Sequence, residues 1–337
     1  MADTFHRVTG TLWLHPGRKA ILKAARIICA GGLVAFPTET VYGLGAAAVN
    51  PAAVAGIFAV KGRPADNPLI VHVADQSQVD RITSSVPEKA RYLMEKFWPG
   101  PLSLVLPRSS AVPDQVSAGL STVAVRMPDH PVALQLIDAA GVPIAAPSAN
   151  RSGRPSPTCA RHVLSDLAGR IDAVLDGGFC RVGLESTVLD LTGPHPVILR
   201  PGGVTREILS SALGEPVLRS FWNGVAAPPS PGMKYRHYSP MAPLILATGP
   251  RIRRLRFLDN LAAFYRNRGI KVCLLNQAFD KGRVEGEQDL AKRLYRELRR
   301  CDDEHVGIIL AEGVSIRGIG AAVMNRLGKA AVRVIRV

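Results

Sequence analysis

The proline-crowded stretch 215–243 constrains this chain more than any other feature. On either side of it, short apolar runs alternate with helical periodicity. Inside it lie six prolines and no period at all. Proline fixes one backbone angle and removes a hydrogen-bond donor, so the segment reads as a stiff, extended linker. It divides the chain into residues 1–214, the linker 215–243 and residues 244–337. A length of 337 residues fits two domains. Within the linker, Lys234, Tyr235, Arg236, His237 and Tyr238 stand side by side. Such a cluster points to a segment that lies on something; a solvated tether is the other reading.

In the first part, Ile21, Ala24, Ala25 and Ile28 share one helical face, and Gly31–Gly32 end it. A buried strand follows at 33–38. A helix over 51–62 opens on proline. Strand patterns recur at 68–75, 102–107, 122–127, 143–148, 172–176, 186–191 and 197–200. Helical patterns near 87–97, 130–140 and 160–168 lie between them. Strands mixed with helices predict an α/β sheet domain closing near Gly214. After the linker the alternation restarts: strands at 244–248, 271–275, 307–310 and the C-terminus, with helices at 251–267, 289–300 and 320–330. This predicts a second, smaller α/β domain, in which no glycine-rich phosphate loop stands out.

The chain is basic, with 42 Lys and Arg against 27 Asp and Glu, and the excess is greatest after residue 250. Such a balance fits either a polyanion partner or an ordinary solvated surface. The five cysteines, Cys29, Cys159, Cys180, Cys273 and Cys301, show neither metal-ligand spacing nor a disulfide framework. The N-terminal segment has no apolar signal core, and no apolar run approaches a membrane span. The expectation is a soluble, cytoplasmic protein without membrane contact.

No Walker loop, nucleophile elbow or HExxH helix is present. Six polar strings take their place: PTETVYGLG (37–45), KGRPADNPLIVHV (61–73), STVAVRMP (121–128), APSANRSGRPSPT (146–158), LESTVLD (184–190) and LRPGG (199–203). Each lies at a strand end or in the loop beyond, where α/β sheets gather ligands. Lys61, Arg63 and Arg200 are cations in proline-ordered loops, suited to neutralising a polyphosphate. Asn67, Thr122, Ser148, Asn150 and Ser156 supply neutral donors and acceptors. Arg126 sits between apolar strand neighbours and needs an anion. Its planar fork could clamp a small carboxylate, or pair with an internal acid. His72, on a strand, is more often a satisfied core histidine than a catalyst and is lifted only by its company in the motif, and 185–187 reads equally as a turn. From the residues alone the site would hold an anionic small molecule beside a phosphorylated one.

The strings TETVYGL, KGRPADNPL, FWPGPLS, VRMPDHP, SANRSGRPSPT, ESTVLD and LRPG, in that order over residues ~20–212, closely resemble the YrdC-like threonylcarbamoyl-AMP synthases. SPGMKYRHYSP and AVMNRLGKAA resemble the long, two-domain form of that family, so the resemblance covers nearly all the chain. Ser103 and Leu189 depart from its commoner residues, at positions whose side chains need not touch ligand.

The resemblance implies an open, twisted mixed-sheet catalytic domain followed by a small Rossmann-like domain. It implies a nucleotidyltransferase that makes threonylcarbamoyl-AMP and pyrophosphate from L-threonine, bicarbonate or CO2, and ATP. A partner transferase would pass the group to tRNA, giving N6-threonylcarbamoyladenosine. Lys61 and Arg63 would be catalytic and bind ATP with Asn67, Thr122, Ser148, Asn150, Ser156 and Arg200. Thr40, His72, Arg126, Ser186 and the backbone at Ala146 would bind threonine. Tyr235 and Tyr238 would close over the nucleotide as a lid. Mg²⁺ would be held through ATP phosphates rather than by side chains. Two competing readings remain: a double-stranded RNA or tRNA binder without catalysis, or an adenylate-forming enzyme that uses another amino acid.

Overall fold

The computed structural model describes residues 6–220, 230, 237–276 and 286–337. The chain divides into two compact units, Met1–Ser152 with Ser156–Lys234, and Gly153–Pro155 with Tyr235–Val337.

The first unit opens with β1 (His6–Val8), β2 (Thr11–Leu14), α1 (Arg18–Cys29), β3 (Val34–Phe36), β4 (Gly43–Ala47), α2 (Pro51–Lys61) and β5 (Ile70–His72). It continues with α3 (Gln76–Ile82), α4 (Glu88–Phe97), β6 (Leu102–Pro107), α5 (Asp114–Ser117), β7 (Thr122–Arg126), α6 (Pro131–Ala140) and β8 (Ile144–Ala145). It ends with α7 (Ala160–Leu167), β9 (Ala173–Leu175), β10 (Thr187–Asp190), β11 (Val197–Arg200), α8 (Arg206–Leu213) and β12 (Leu218–Arg219).

Its twelve strands form one sheet in the order β1-β2-β9-β3-β4-β8-β5-β7-β6-β10-β11-β12. Parallel pairs such as β5 with β7 mix with antiparallel ones such as β6 with β7. The fold is therefore the mixed α/β sheet that the alternating patterns imply. The sheet also runs past Gly214: Leu218 and Arg219 pair in parallel with Val197 and Ile198, inside the stretch expected to be linker. The β1–β2 hairpin, β4, α3 and α8 are elements that the periodicity did not reveal. Buried faces explain the stacking. Ala20, Ala24, Ala25 and Ile28 of α1 join Val132, Ala133, Leu136 and Ile137 of α6 in one core against β3 and β9. A larger core lies around α2, α4 and α7.

Capping ends α2 where the candidate site begins. In α2, Asn50 accepts from Ala53 N and Pro51 stands in the first turn. Gly62, at φ 61°, takes the left-handed conformation that stops the helix directly after Lys61.

The second unit alternates β13 (Leu244–Thr248), α9 (Arg251–Arg266), β14 (Val272–Leu275), α10 (Glu287–Asp303), β15 (Ile308–Glu312), α11 (Gly320–Ala330) and β16 (Arg333–Arg336). Its sheet is wholly parallel, in the order β14-β15-β13-β16. Each strand returns through a helix, the arrangement of a small doubly wound unit. No helix among the described residues is long and apolar enough to cross a membrane.

Candidate active site

Register places a row of polar residues at one end of the large sheet. His72, the last residue of β5, pairs with Arg126, the last of β7. Leu104 lies opposite Val125, Ser103 opposite Val188, and Val188 opposite Arg200. The C-terminal ends of β5, β7 and β11 thus meet the N-terminal ends of β6 and β10. The same strands carry a small apolar cluster of Ile70, Val105, Ala124 and Val188. Two residues along β5 and β7 from that cluster come His72 and Arg126, on the same face by the period of a strand.

Arg126 is buried; Nε and Nη1 donate hydrogen bonds, while Nη2 faces an acid as an ion pair without a hydrogen bond. Its Nη2 lies 2.6 Å from Glu39 Oε2, Nη1 donates to Thr40 Oγ1 at 2.9 Å, and Nε donates to Gly100 O at 3.1 Å. Both members of the ion pair are almost wholly withdrawn from solvent, at 4% and 0% side-chain exposure. Since Thr38 Oγ1 donates to Val41 O, the Thr40 hydroxyl donates onward to Thr38 at 2.8 Å. This fixes the direction of the chain from Arg126 through Thr40 to the backbone. The internal acid that the strand position allowed for is thus Glu39, a residue not singled out from the sequence.

Beside it, burial drives the His72 imidazole down to about 3, and the neighbouring Arg126 charge adds to the effect. The ring is therefore neutral at physiological pH. It packs edge-on to Phe36 with centroids 5.9 Å apart, and its Nδ1 meets no hydrogen-bond partner among the described residues.

On the far side of Ser103, Arg200 is oriented by the 186 region. Its Nη2 donates to Ser186 O at 3.0 Å and to Ser186 Oγ at 3.1 Å, and its Nε donates to the same carbonyl. Ser186 Oγ in turn shares a 2.8 Å hydrogen bond with Ser103 Oγ. Ser103, whose side chain need not touch ligand, thus supports the candidate residue Ser186. Gly202 makes this approach possible, because a Cβ there would lie 2.3 Å from the backbone of Ser186 and Thr187.

The second group of candidates surrounds the end of α2. Lys61 is buried, with Nζ donating to Ser148 O at 2.5 Å and to Asn150 O. Its own carbonyl accepts from Ser152 N at 2.8 Å. The loop 148–152 is thus clasped to the helix end from both sides. Arg63 spans its own loop, donating from Nε to Asn67 O at 3.2 Å and from Nη2 to Pro68 O at 2.9 Å. Ser156 Oγ donates to buried Glu185 at 2.6 Å, so 185–187 is a built part of the site rather than a bare turn.

Backbone bonds tie the two groups together. Leu44 N donates to Pro147 O, Ala149 N to Tyr42 O, Ala146 N to Ile70 O and Thr187 N to Pro101 O. Thr122 stands apart from Arg126: it opens β7, four residues or about 13 Å along the strand at roughly 3.3 Å per residue. Tyr238 belongs to the second unit, buried with its ring 5.4 Å from Tyr295 and the Arg326 guanidinium 5.7 Å away. Tyr235 lies outside the described residues. Among the described residues no group of three or more His, Cys, Asp or Glu could hold a metal ion.

A mixed α/β sheet with buried cations and threonines at its strand ends, joined to a small parallel α/β unit, defines the class. Comparison with known proteins gives the family. The Sua5, YciO and YrdC family model, described as telomere recombination, matches residues 26–202. The model for the threonylcarbamoyl-AMP synthase C-terminal domain matches residues 204–332. The chain belongs to the threonylcarbamoyl-AMP synthase family. It is 49% identical to the threonylcarbamoyl-AMP synthase of Pyrococcus abyssi, over 93% of this chain and 95% of that one. To the Bacillus subtilis protein of the same name it is 48% identical, over 94% of each. A solved structure of P. abyssi Sua5 complexed with L-threonine matches with a TM-score of 0.91 and 47% identity, covering 96% of this chain and 98% of that one. Escherichia coli YciO matches with a TM-score of 0.51 and 25% identity, covering 56% of this chain and 94% of that one.

Proposed function

We propose that this protein condenses L-threonine, CO2 or bicarbonate, and ATP into threonylcarbamoyl-AMP, releasing pyrophosphate. The observation that carries the reading is the hydrogen-bonded network just described. It joins all seven strings of the family pattern through buried cations that sit beside neutral donors.

Lys61 and Arg63 would meet the ATP phosphates, with Asn67, Thr122, Ser148, Asn150, Ser156 and Arg200 completing the nucleotide site. Arg126 would take the threonine carboxylate. Thr40, the neutral His72, Ser186 and the Ala146 backbone would surround the rest of the amino acid. A carbamate formed on the threonine amine would then attack the α-phosphorus, and pyrophosphate would leave. One anion attacking another needs fixed positive charge and alignment, not a side-chain nucleophile. Burial makes each fixed charge count for more than it would in water.

Mg²⁺ would arrive on the triphosphate and share the neutralisation of its charge. The described residues fit that arrangement, since their donors are cations and amides suited to phosphate oxygens rather than a carboxylate cage. The stretch 215–243, with Tyr235 and Tyr238, would serve as a lid. A cytoplasmic tRNA threonylcarbamoyl transferase would consume the labile product. Mass spectrometry of the reaction mixture tests the reading. Threonylcarbamoyl-AMP should form only when threonine, bicarbonate and ATP are all present. AMP and pyrophosphate without that adduct would refute it.

A further inference from the structure

The Glu39 carboxylate has no role in the reaction as assigned so far. It lies in the middle of the amino-acid pocket, on the loop between β3 and β4, with its side chain fully buried. One oxygen, Oε2, meets Arg126 at 2.6 Å. Neither Oε2 nor Oε1 has a hydrogen-bond donor among the described residues. His72 Nδ1, on the strand paired with Arg126, is likewise buried without a partner. A buried carboxylate oxygen left without a donor is costly, and its persistence calls for a ligand that satisfies it.

The other titratable groups facing Glu39 offer no fixed charge. Burial raises the Cys180 thiol and lowers the His130 imidazole, so both favour their neutral forms at physiological pH. The pocket therefore holds one buried anion and one buried cation in contact, with net charge near zero. An amino acid brings the same two charges. If Arg126 alone met its carboxylate, the ammonium would be buried without an anion, and Glu39 would lose its one ionic partner among the described residues. Both outcomes are unfavourable.

We propose that the Glu39–Arg126 pair opens to admit a zwitterion: the substrate carboxylate goes to Arg126 and its ammonium to Glu39. Each charge exchanges one buried partner for another, so the pocket stays neutral throughout. Glu39 is then a positioning and specificity residue. It makes the pocket select a free α-amino group, and it points the nitrogen that must become the carbamate. The inference rests on the amino-acid reading of this pocket.

Titration calorimetry on the full-length protein tests it, with L-threonine and its desamino counterpart (3R)-3-hydroxybutanoate as probes. Wild type should bind threonine about 10- to 100-fold more tightly than the hydroxy acid, the worth of one charge-assisted hydrogen bond. Glu39→Gln should lose that factor for threonine but not for the hydroxy acid, whose carboxylate no longer competes with Glu39 for Arg126. Glu39→Asp keeps the charge and should keep the preference at weaker affinity, which covers the case in which the glutamine variant does not fold. Equal binding of both probes by wild type, or an undiminished preference in Glu39→Gln, would overturn the role of Glu39 and leave the amino-acid pocket standing. Binding of neither probe by wild type would overturn the pocket reading itself.

Discussion

Residues 251–337 hold 19 basic and 10 acidic residues, while the first 250 hold 23 and 17, so the second unit is the more strongly charged per residue. The environments of those charges run the other way. In the second unit most arginines stand at the surface or lean on acids, and the buried exceptions are Arg299, which donates to Pro155 O, and Arg326, beside the Tyr238 ring. Arg251 is 57% exposed beside Glu312, Arg300 is 44% exposed between Glu297 and Glu304, and Arg253 and Arg256 project from α9 into solvent. In the first unit Lys61, Arg126 and Arg200 are all buried at strand and helix ends. Solvated cations are screened and cheap to place; buried ones are costly and persist only where each is held by specific acceptors. Net charge draws attention to the second unit, whereas buried cations gathered at the ends of one sheet draw it to the first. The nucleic-acid reading of this chain rests on its positive charge, and the enzyme reading on the polar strings at the strand ends of the first unit.

The difference can be broken most sharply at Lys61. Lys61→Ala should lower pyrophosphate release by about 100- to 1,000-fold, the effect of deleting one preorganised donor from an active site. It also leaves the carbonyls of Ser148 and Asn150 without their donor, so circular dichroism must show that the fold survives. Retained activity would remove buried charge from the account.

Arg126→Ala comes next. The KM for threonine should rise about 10- to 100-fold while that for ATP stays near wild type. Unfolding in urea should show a loss of about 3–5 kcal/mol, because Glu39 would be left as an unpaired buried charge. A change confined to ATP kinetics would move Arg126 to the nucleotide site.

The His72 environment predicts a pH effect of smaller size. Its folded value lies near 3, below the ordinary 6.5. Between those values the unfolded chain binds a proton that the folded chain refuses. Stability is therefore complete above about pH 6.5 and falls as the pH drops from there towards 3, by up to about 1.4 kcal/mol per pH unit. Replacing His72 with Asn should flatten urea midpoints between pH 6.5 and 5; an unchanged slope would mean that the imidazole is not buried in its neutral form.

Arg253→Ala combined with Arg256→Ala should do least. Exposed α9 arginines far from any buried partner should change stability by no more than about 0.5 kcal/mol, and turnover should stay within about twofold. A large loss of turnover would show that surface charge of the second unit takes part in the reaction.

Much of this was legible in the chain itself. Apolar runs marked β6, β7, β11 and β13, because a buried strand must be apolar or alternate, and α1 and α6 showed their buried stripe at helical spacing. β4 was hidden because its sequence GLGAA is too small and too uniform to show a strand pattern. The β1–β2 hairpin was hidden because short, half-exposed strands carry little periodicity. In the site, Lys61 stood out as a cation in a proline-ordered loop and Arg126 as one between apolar strand neighbours. Their partners did not: Glu39 and Ser103 acquire meaning only through pairing across loops and strands, and nothing in local spacing reveals that. Lys61 meets carbonyls from residues 87 and 89 positions away in the chain, which no linear pattern records.

The most direct measurement is pyrophosphate release from ATP by the wild-type protein, with threonine and bicarbonate each omitted in turn. Release that requires both is the result predicted by a site built from buried, fixed cations around an amino acid and a triphosphate. Release that proceeds without threonine, or none with folded protein and all three substrates, would contradict it.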